Sequence, residues 1–524
     1  MAISTEPTRR HLLGAGAFAT ISLATPASAT EVAPEARTDA GKVRGARQNG
    51  ILAFQGIRYG ADTRQSRFQP PQKPKPWRGV ADTTHYGAAC PQATNEANQS
   101  EDCLFLNVWT PALRDNARRP VMFYIHGGAY AGGSGSAPET DGANLSRRGN
   151  VVVVTVNHRL NAFGYLYLGS EGPWPDSGNA GQLDIIAALQ WVRENIAEFG
   201  GDPNCVMVFG QSGGGAKIAT LMAMEKAAGL FHRATTMSGQ QLTASGPLHA
   251  AQRTDVYLKA LGLDRNRLKD LTKLSTEDLV KGLKATDPII GSGGVYFGPV
   301  LDMRSLHRHP FFPDAPTIST HIPMMIGNTH DETRAFIQAD WAYNLTWEDL
   351  PRRLAENMRV DILPEHVIAE YKKLYPGITP SDLFFAATTA SRSWRAAIEE
   401  DQARASAGCP AFAYQVNWRT LKEGGKLRAP HTIDIALAFD NTDVPVAITG
   451  SGPEAKKMAA IVSECFIAFA RTGNPNNSLV NNWKPYSLAN RETMIFDLPP
   501  ELVNDPRGAE RRIFEKVPFI QQGT

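Results

Sequence analysis

Gly210-Gln211-Ser212-Gly213-Gly214 is the segment of this chain best suited to do chemistry. A serine with glycine two residues away on either side fits G-x-S-x-G, a nucleophile held on a sharp turn between a strand and a helix. The glycines remove Cβ atoms that would clash in so tight a turn. The flanks agree, since residues 206–209 read as a buried strand and residues 216–224 as a helix. A hydroxyl at that point lies over a helix N-terminus, which favours the negative charge that develops when it attacks a carbonyl. A second segment, His126-Gly127-Gly128-Ala129-Tyr130, ends another apolar run, as the HGGG-type motif does. The backbone N–H groups of Gly127, Gly128 and Gly213 are therefore the expected donors to an oxyanion. His126 is expected to orient this loop and not to act as a base.

These residues need a scaffold. Short apolar runs at 121–125, 151–156, 322–326 and 411–416 read as strands buried on both faces. Residues 184–199 place Ile185, Leu189, Val192, Ile196 and Phe199 at three- and four-residue spacing, one apolar helical stripe that Gly200-Gly201 stops. Alternating strands and helices predict an α/β protein whose large, mostly parallel central sheet is flanked by helices. Residues 41–61 predict antiparallel strands ahead of that sheet. Pro-rich stretches at 70–76 and 310–316 read as surface loops.

Composition narrows the function. The 524 residues carry 54 Lys+Arg against 52 Asp+Glu, a net charge of +2, and are 42% hydrophobic. A disordered chain, a fibre and a coiled coil are excluded. Near-neutral charge gives no nucleic-acid partner. No run reaches the ~20 apolar residues of a membrane span, so no stable membrane anchor is expected. No HExxH, Walker loop or metal-spaced Cys/His cluster is present, so no metal and no cofactor are expected. Thr8-Arg9-Arg10, an apolar run over 12–24 and Ala27-Ser28-Ala29 follow the order of an export signal, with the paired arginines of the bacterial twin-arginine type. Residues 1–29 are read as that signal and 30–40 as a flexible mature N-terminus, which predicts a periplasmic or secreted protein.

Three further segments extend the pattern: Glu101-Asp102-Cys103-Leu104-Phe105-Leu106-Asn107-Val108, Asn157-His158-Arg159-Leu160 and Phe199-Gly200-Gly201-Asp202-Pro203-Asn204. With the His126–Tyr130 segment and the serine turn, they resemble the type B carboxylesterases, the family of the cholinesterases and bacterial para-nitrobenzyl esterases. The resemblance runs from Gly41 to about Pro518, densely as far as Gly239. It implies an α/β-hydrolase fold with an inserted helical cap region, over residues 41–524 as one domain. A prior of ~150 residues per domain would instead give three or four.

The resemblance also implies a Ser-His-Glu triad in the chain order Ser, Glu, His. Its acid falls in Gly327-Asn328-Thr329-His330-Asp331-Glu332, which selects Glu332 with Asp331 as rival. Its histidine is His431, in His431-Thr432-Ile433-Asp434 with Phe439 beyond. It further implies Ser238 and Asp434 around that histidine, ion pairs Arg67–Glu101 and Arg159–Asp184, and a disulfide between Cys90 and Cys103. Gln211 stands where the family commonly has Glu, so a negative charge is missing beside His431. Gly213 stands where the family often has Ala, which loosens the turn. Segment 291–302 corresponds to the acyl-pocket wall, made roomy by Gly293 and Gly294, and residues 341–375 to helices near the entrance. Together these imply an exported serine carboxylic-ester hydrolase with an acyl-enzyme intermediate. Neutral small-molecule esters are its expected substrates, and a monomer or weak homo-oligomer its expected state. The alternatives are a carbamate, lactone or amide hydrolase on the same triad and, against the presence of Ser212, Glu332 and His431, a non-catalytic binding module.

Overall fold

Val, Ile and Phe crowd the central strands because helices cover those strands on both sides. The computed structural model describes residues 33–169 and 172–523. Among these the main sheet has eleven strands. They are β1 (Ala46–Gln48), β2 (Ile51–Arg58), β3 (Phe105–Thr110), β4 (Arg119–Ile125), β5 (Val152–Val156), β6 (Gly201–Gln211), β7 (Arg233–Met237), β8 (Met324–Thr329), β9 (Ala411–Val416), β10 (Glu492–Phe496) and β11 (Glu501–Asn504). Their spatial order is β1-β2-β3-β5-β4-β6-β7-β8-β9-β10-β11. Every pair from β5 through β10 is parallel. The pairs β1–β2, β2–β3, β3–β5 and β10–β11 are antiparallel. Both margins of a parallel sheet are thus finished with antiparallel strands.

Side chains alternate across the sheet. Phe123 of β4 packs into one apolar core with Val154, Val208, Leu189 and Val192. Its neighbours Met122 and Tyr124 enter the opposite core with Phe209, Phe439 and Phe466. Helix α1 (Ala180–Asn195) and helix α2 (Gly213–Leu221) cover the first face, and α3 (Ile433–Phe439) and α4 (Pro453–Thr472) the second. A third apolar cluster, with Leu350, Leu354, Tyr371, Phe384 and Phe385, belongs to helices inserted between β8 and β9. Strand β7 carries two threonines and does not read as an apolar run, yet it is hydrogen-bonded on both sides by β6 and β8.

Two expectations are corrected. Glu35–Arg37 is a strand of a separate three-stranded sheet, paired with Lys42–Arg44, so the segment 30–40 is not flexible throughout. Ala36 is buried there opposite Val43, and that burial orders the chain earlier than its composition suggests. The implied Cys90–Cys103 disulfide is not formed, and both are buried free thiols. The Cys90 sulfur accepts the Leu160 N–H at 3.2 Å. The neighbouring Cys90 thiol and burial raise the Cys103 pKa well above its ordinary value. A hydrogen bond between the two thiols takes the place of a covalent link. The export signal over 1–29 lies outside the described residues.

Buried charges tie loops to helices. Arg159, just after β5, meets Asp184 of α1 through Nε at 2.8 Å and Nη2 at 2.7 Å. Its backbone N–H reaches the same carboxylate at 3.0 Å. Arg67 grips Glu101 at 2.7 and 2.6 Å and the Leu274 carbonyl at 2.8 Å. Asp184→Asn strands the Arg159 charge in the interior, and we expect it to cost about 3–5 kcal/mol. The check is the unfolding midpoint in denaturant, beside an Arg159→Met/Asp184→Leu double variant that should recover most of the loss.

Candidate active site

The serine turn is built by collision. Gln211 ends β6, Gly213 begins α2, and Ser212 between them has φ 56° and ψ −126°. Its N–H donates to the Met237 carbonyl at 2.7 Å, and its carbonyl accepts the Ala216 N–H at 3.1 Å as the first turn of α2. A Cβ on Gly214 would stand 1.9 Å from the Ile125 carbonyl oxygen at the end of β4. A Cβ on Gly213 would stand 2.1 Å from the Ala129 carbonyl oxygen. Gly213 therefore does not loosen the turn. It is the surface on which the 127–129 loop rests.

The other members come from the carboxyl ends of neighbouring strands, where open α/β sheets bind their ligands. Ser238 follows β7, and its N–H donates to the Gly327 carbonyl of β8 at 2.8 Å. Glu332 lies just beyond β8, and one carboxylate oxygen accepts the Thr329 N–H at 2.9 Å. The other oxygen accepts His431 Nδ1–H in a short hydrogen bond. Burial alone would raise the Glu332 pKa, but the imidazole and its hydrogen bond, with the Ser238 hydroxyl and the Thr329 amide, hold it below the ordinary value. Asp331 faces away, toward His330 at 3.1 Å and Arg334 at 3.5 Å. His431 is reached through the loop after β9, which is tied back where Asp331 N–H donates to the Ala429 carbonyl at 2.9 Å.

Ser212 and His431 line one cavity of about 680 Å³, open space at its mouth included. With Nδ1–H given to Glu332, Nε2 carries the lone pair. Gln211 Nε2 lies 3.1 Å from it, and the Phe336 ring packs on the imidazole at 4.5 Å between centroids. Asp434 makes its hydrogen bond elsewhere, accepting the Tyr414 hydroxyl at 3.0 Å. Burial and the Glu332 charge push its pKa up to about 7.

Of the expected donors, Gly213 lines the cavity, whereas Gly127 and Gly128 are not among its lining residues and Ala129 is. A Cβ on Gly127 would stand 2.9 Å from the Gln211 carbonyl oxygen and 3.3 Å from the Ser212 Cβ, and one on Gly128 2.3 Å from the Gly132 carbonyl oxygen. His126 is buried, with its pKa lowered to about 3 by burial and by Lys217, so it is neutral. It stacks on His158 at 4.9 Å, and its Nδ1 lies 2.9 Å from the Gly127 carbonyl. The loop has a support that the motifs do not announce. Lys217, fully buried on α2, donates to the Ala129 carbonyl at 2.8 Å and the His126 carbonyl at 3.1 Å. A lysine one turn after Gly213 in an otherwise apolar helix is the sequence signal for it.

The implied acyl wall lines a neighbouring cavity of about 940 Å³ through Gly293, Gly294, Val295 and Tyr296. Tyr130 and Tyr296 face both cavities. Asp287 fixes this loop, accepting the Tyr296 N–H at 2.8 Å and Arg253 Nε at 2.7 Å. Among the described residues no group of His, Cys, Asp and Glu could hold a metal ion.

The carboxylesterase family model matches residues 32–513. The chain is 36% identical over 492 residues to the para-nitrobenzyl esterase of Bacillus subtilis (strain 168), spanning 91% of this chain and 97% of that one. It is 32% identical over 538 residues to carboxylesterase 3 of Homo sapiens, spanning 91% and 90%. The solved structure of the Geobacillus stearothermophilus carboxylesterase EST55 at pH 6.2 is similar with a TM-score of 0.81 at 34% identity, over 92% and 99% of the two chains.

Two outcomes follow from the crowding behind the serine. Gly213→Ala drives a methyl group into the Ala129 carbonyl and displaces the loop. Steady-state kinetics on 4-nitrophenyl butyrate should show kcat reduced roughly 10²–10³-fold, the size of losing an oxyanion donor. The Lys217 pKa is lowered from 10.5 to about 7 by burial. Between those values the unfolded chain holds a proton that the fold does not, so this site's contribution to stability rises with pH. Wild type should gain on Lys217→Met by roughly 1–4 kcal/mol from pH 7 to pH 10. Denaturant midpoints at the two pH values decide it, and a constant gap contradicts the assignment.

Proposed function

The chain belongs to the carboxylesterase family and hydrolyses ester bonds, and from that premise we propose that it is an exported serine esterase acting through Ser212, His431 and Glu332. The observation that carries the reading is the convergence on one cavity of Ser212 and a His431 whose Nδ1–H is taken by Glu332. Nε2 takes the proton from Ser212 as Oγ forms a bond to the ester carbonyl carbon and the carbonyl electrons move onto oxygen. The resulting imidazolium is stabilised by Glu332, which stays ionised. The oxyanion is received by the Gly213 N–H at the start of α2 and by the 127–129 loop, with Ala129 on the cavity wall. Collapse expels the alcohol, which leaves with the proton from Nε2. Water then repeats the sequence on the acyl-enzyme and frees the acid and Ser212. Ser212 Oγ and His431 Nε2 close to hydrogen-bond distance when substrate arrives, as catalytic contacts do on forming the substrate complex. Lys217 and His126 act on the loop's shape and take no proton in the reaction. The paired arginines Arg9-Arg10 and the Ala27-Ser28-Ala29 site support export. Among the described residues no helix is long and apolar enough to cross a membrane.

Ser212→Ala should lower kcat on 4-nitrophenyl butyrate by roughly 10⁴-fold or more. A fluorophosphonate should label the wild type on the peptide carrying Ser212 and leave the variant unlabelled. Label on another residue, or ester binding without turnover by the wild type, would refute the triad.

A further inference from the structure

Arg359 and Arg392 line the cavity that holds Ser212 and His431. Elsewhere buried arginines meet carboxylates, as Arg67 with Glu101, Arg159 with Asp184, Arg253 with Asp287 and Arg507 with Glu510, or backbone carbonyls, as Arg404 with those of Ser319 and Ile322. Among the described residues neither cavity arginine has such a partner. Arg359 Nη2 donates to the neutral Gln522 Oε1 at 2.6 Å. Arg392 lies over the Phe336 ring at 4.3 Å, and that ring is the one packed on His431. Burial, followed by the neighbouring Arg359 charge, pushes the Arg392 pKa down to about 10, and burial lowers that of Arg359. Both stay cationic at neutral pH.

Nearby acids do not cancel this charge. Glu332, whose field reaches Arg392, is committed to His431. Glu400 accepts the Gln241 N–H at 3.2 Å and the Thr236 hydroxyl at 3.2 Å, and burial raises its pKa to about 8. Arg392 is presented by a local irregularity. The helices Pro380–Thr389 and Arg395–Ser406 are joined by a π-helical turn, Ala390–Trp394, in which Arg392 leaves helical geometry at φ −116° and ψ −108°. Such turns inside helices recur at functional sites. Arg359 is held from the other side, its carbonyl accepting the Ile520 N–H at 2.8 Å.

We infer that this cavity takes an ester bearing a second, ionised carboxylate, a half-ester of a short di- or polycarboxylic acid. The free carboxylate sits on Arg359 and Arg392 while the ester carbonyl faces Ser212. Guanidinium is the side chain best matched to a carboxylate. Only the Phe336 ring separates Arg392 from the His431 imidazole, at 4.3 Å on one side and 4.5 Å on the other, so a short acid chain spans from the arginines to the carbonyl. This rests on the serine-esterase reading above and replaces the neutral ester expected from net charge. The +2 balance describes the whole chain, whereas these two charges face the substrate.

The test compares monoethyl glutarate with diethyl glutarate by pH-stat titration of the full chain at pH 7.5. Wild type should prefer the half-ester at least tenfold in kcat/KM. Arg392→Gln and Arg359→Gln should each reduce that preference roughly 10–100-fold, chiefly through KM, the usual worth of a hydrogen bond to a charged group. Arg392→Lys should keep part of it. A phosphate is the other oxyanion that two guanidinium groups receive. Glutarate should therefore bind more tightly than propyl phosphate in calorimetric titrations, and more weakly to Arg392→Gln. A wild-type preference for the diester, a ratio unmoved by either arginine variant, or tighter binding of propyl phosphate would each overturn the inference. Failure of the underlying reading is separate, because it shows as absent turnover of 4-nitrophenyl butyrate by the wild type while the calorimetry still reports on the arginines.

Discussion

Ser212 holds a backbone conformation that a free chain would abandon, at φ 56° and ψ −126°, and the rest of the site depends on its being kept there. What keeps it is crowding. The Ile125 carbonyl presses on Gly214, the Ala129 carbonyl on Gly213, and the Met237 carbonyl takes the serine's own N–H at 2.7 Å. Those three contacts come from the ends of β4 and β7 and from the loop after β4. A parallel sheet makes this possible because it delivers the carboxyl ends of successive strands to one rim. The turn is thus a product of the sheet's order and not of its own five residues.

The interior divides its charges by purpose. Some charges that fix one segment against another have their opposite at hand, as Arg159 has Asp184 at 2.7 Å, while Arg404 is held by the Ser319 and Ile322 carbonyls. Lys217 is intermediate, since it is buried on carbonyl oxygens alone and its pKa is lowered to about 7. At the cavity wall the pairing stops. Burying a charge without its counter-charge opposes folding, so positions that do it are candidates for recognition, where a ligand supplies the missing partner.

How much of this was legible in the sequence varied with the length scale of the signal. The elbow, the strands at β4, β5 and β9 and the helix stripe of α1 depend on neighbours a few residues apart, and local pattern carries them. The family resemblance reached Glu332 and His431, which no spacing rule connects to Ser212 across some two hundred residues. Strand β7 escaped because Thr235 and Thr236 are as acceptable as valine between two hydrogen-bonded neighbours. In the loop after β4, Gly127 and Gly128 advertise themselves by lacking side chains, whereas Ala129, the residue of that loop on the cavity wall, carries one. Arg359 and Arg392 were silent for a different reason. An unpaired arginine looks like any surface arginine until the fold shows what is not beside it.

The cavity is closed in part by Phe519, Gln521 and Gln522, and Ile520 is hydrogen-bonded to the Arg359 backbone. Those residues are the last of the site to be made. On the proposed triad, a chain that stopped after Glu332 would hold the nucleophile and the acid but lack both His431 and this wall. The proposed activity is therefore a property of the whole sheet, because an amino-terminal fragment, however well folded, would carry a nucleophile with nothing to activate it.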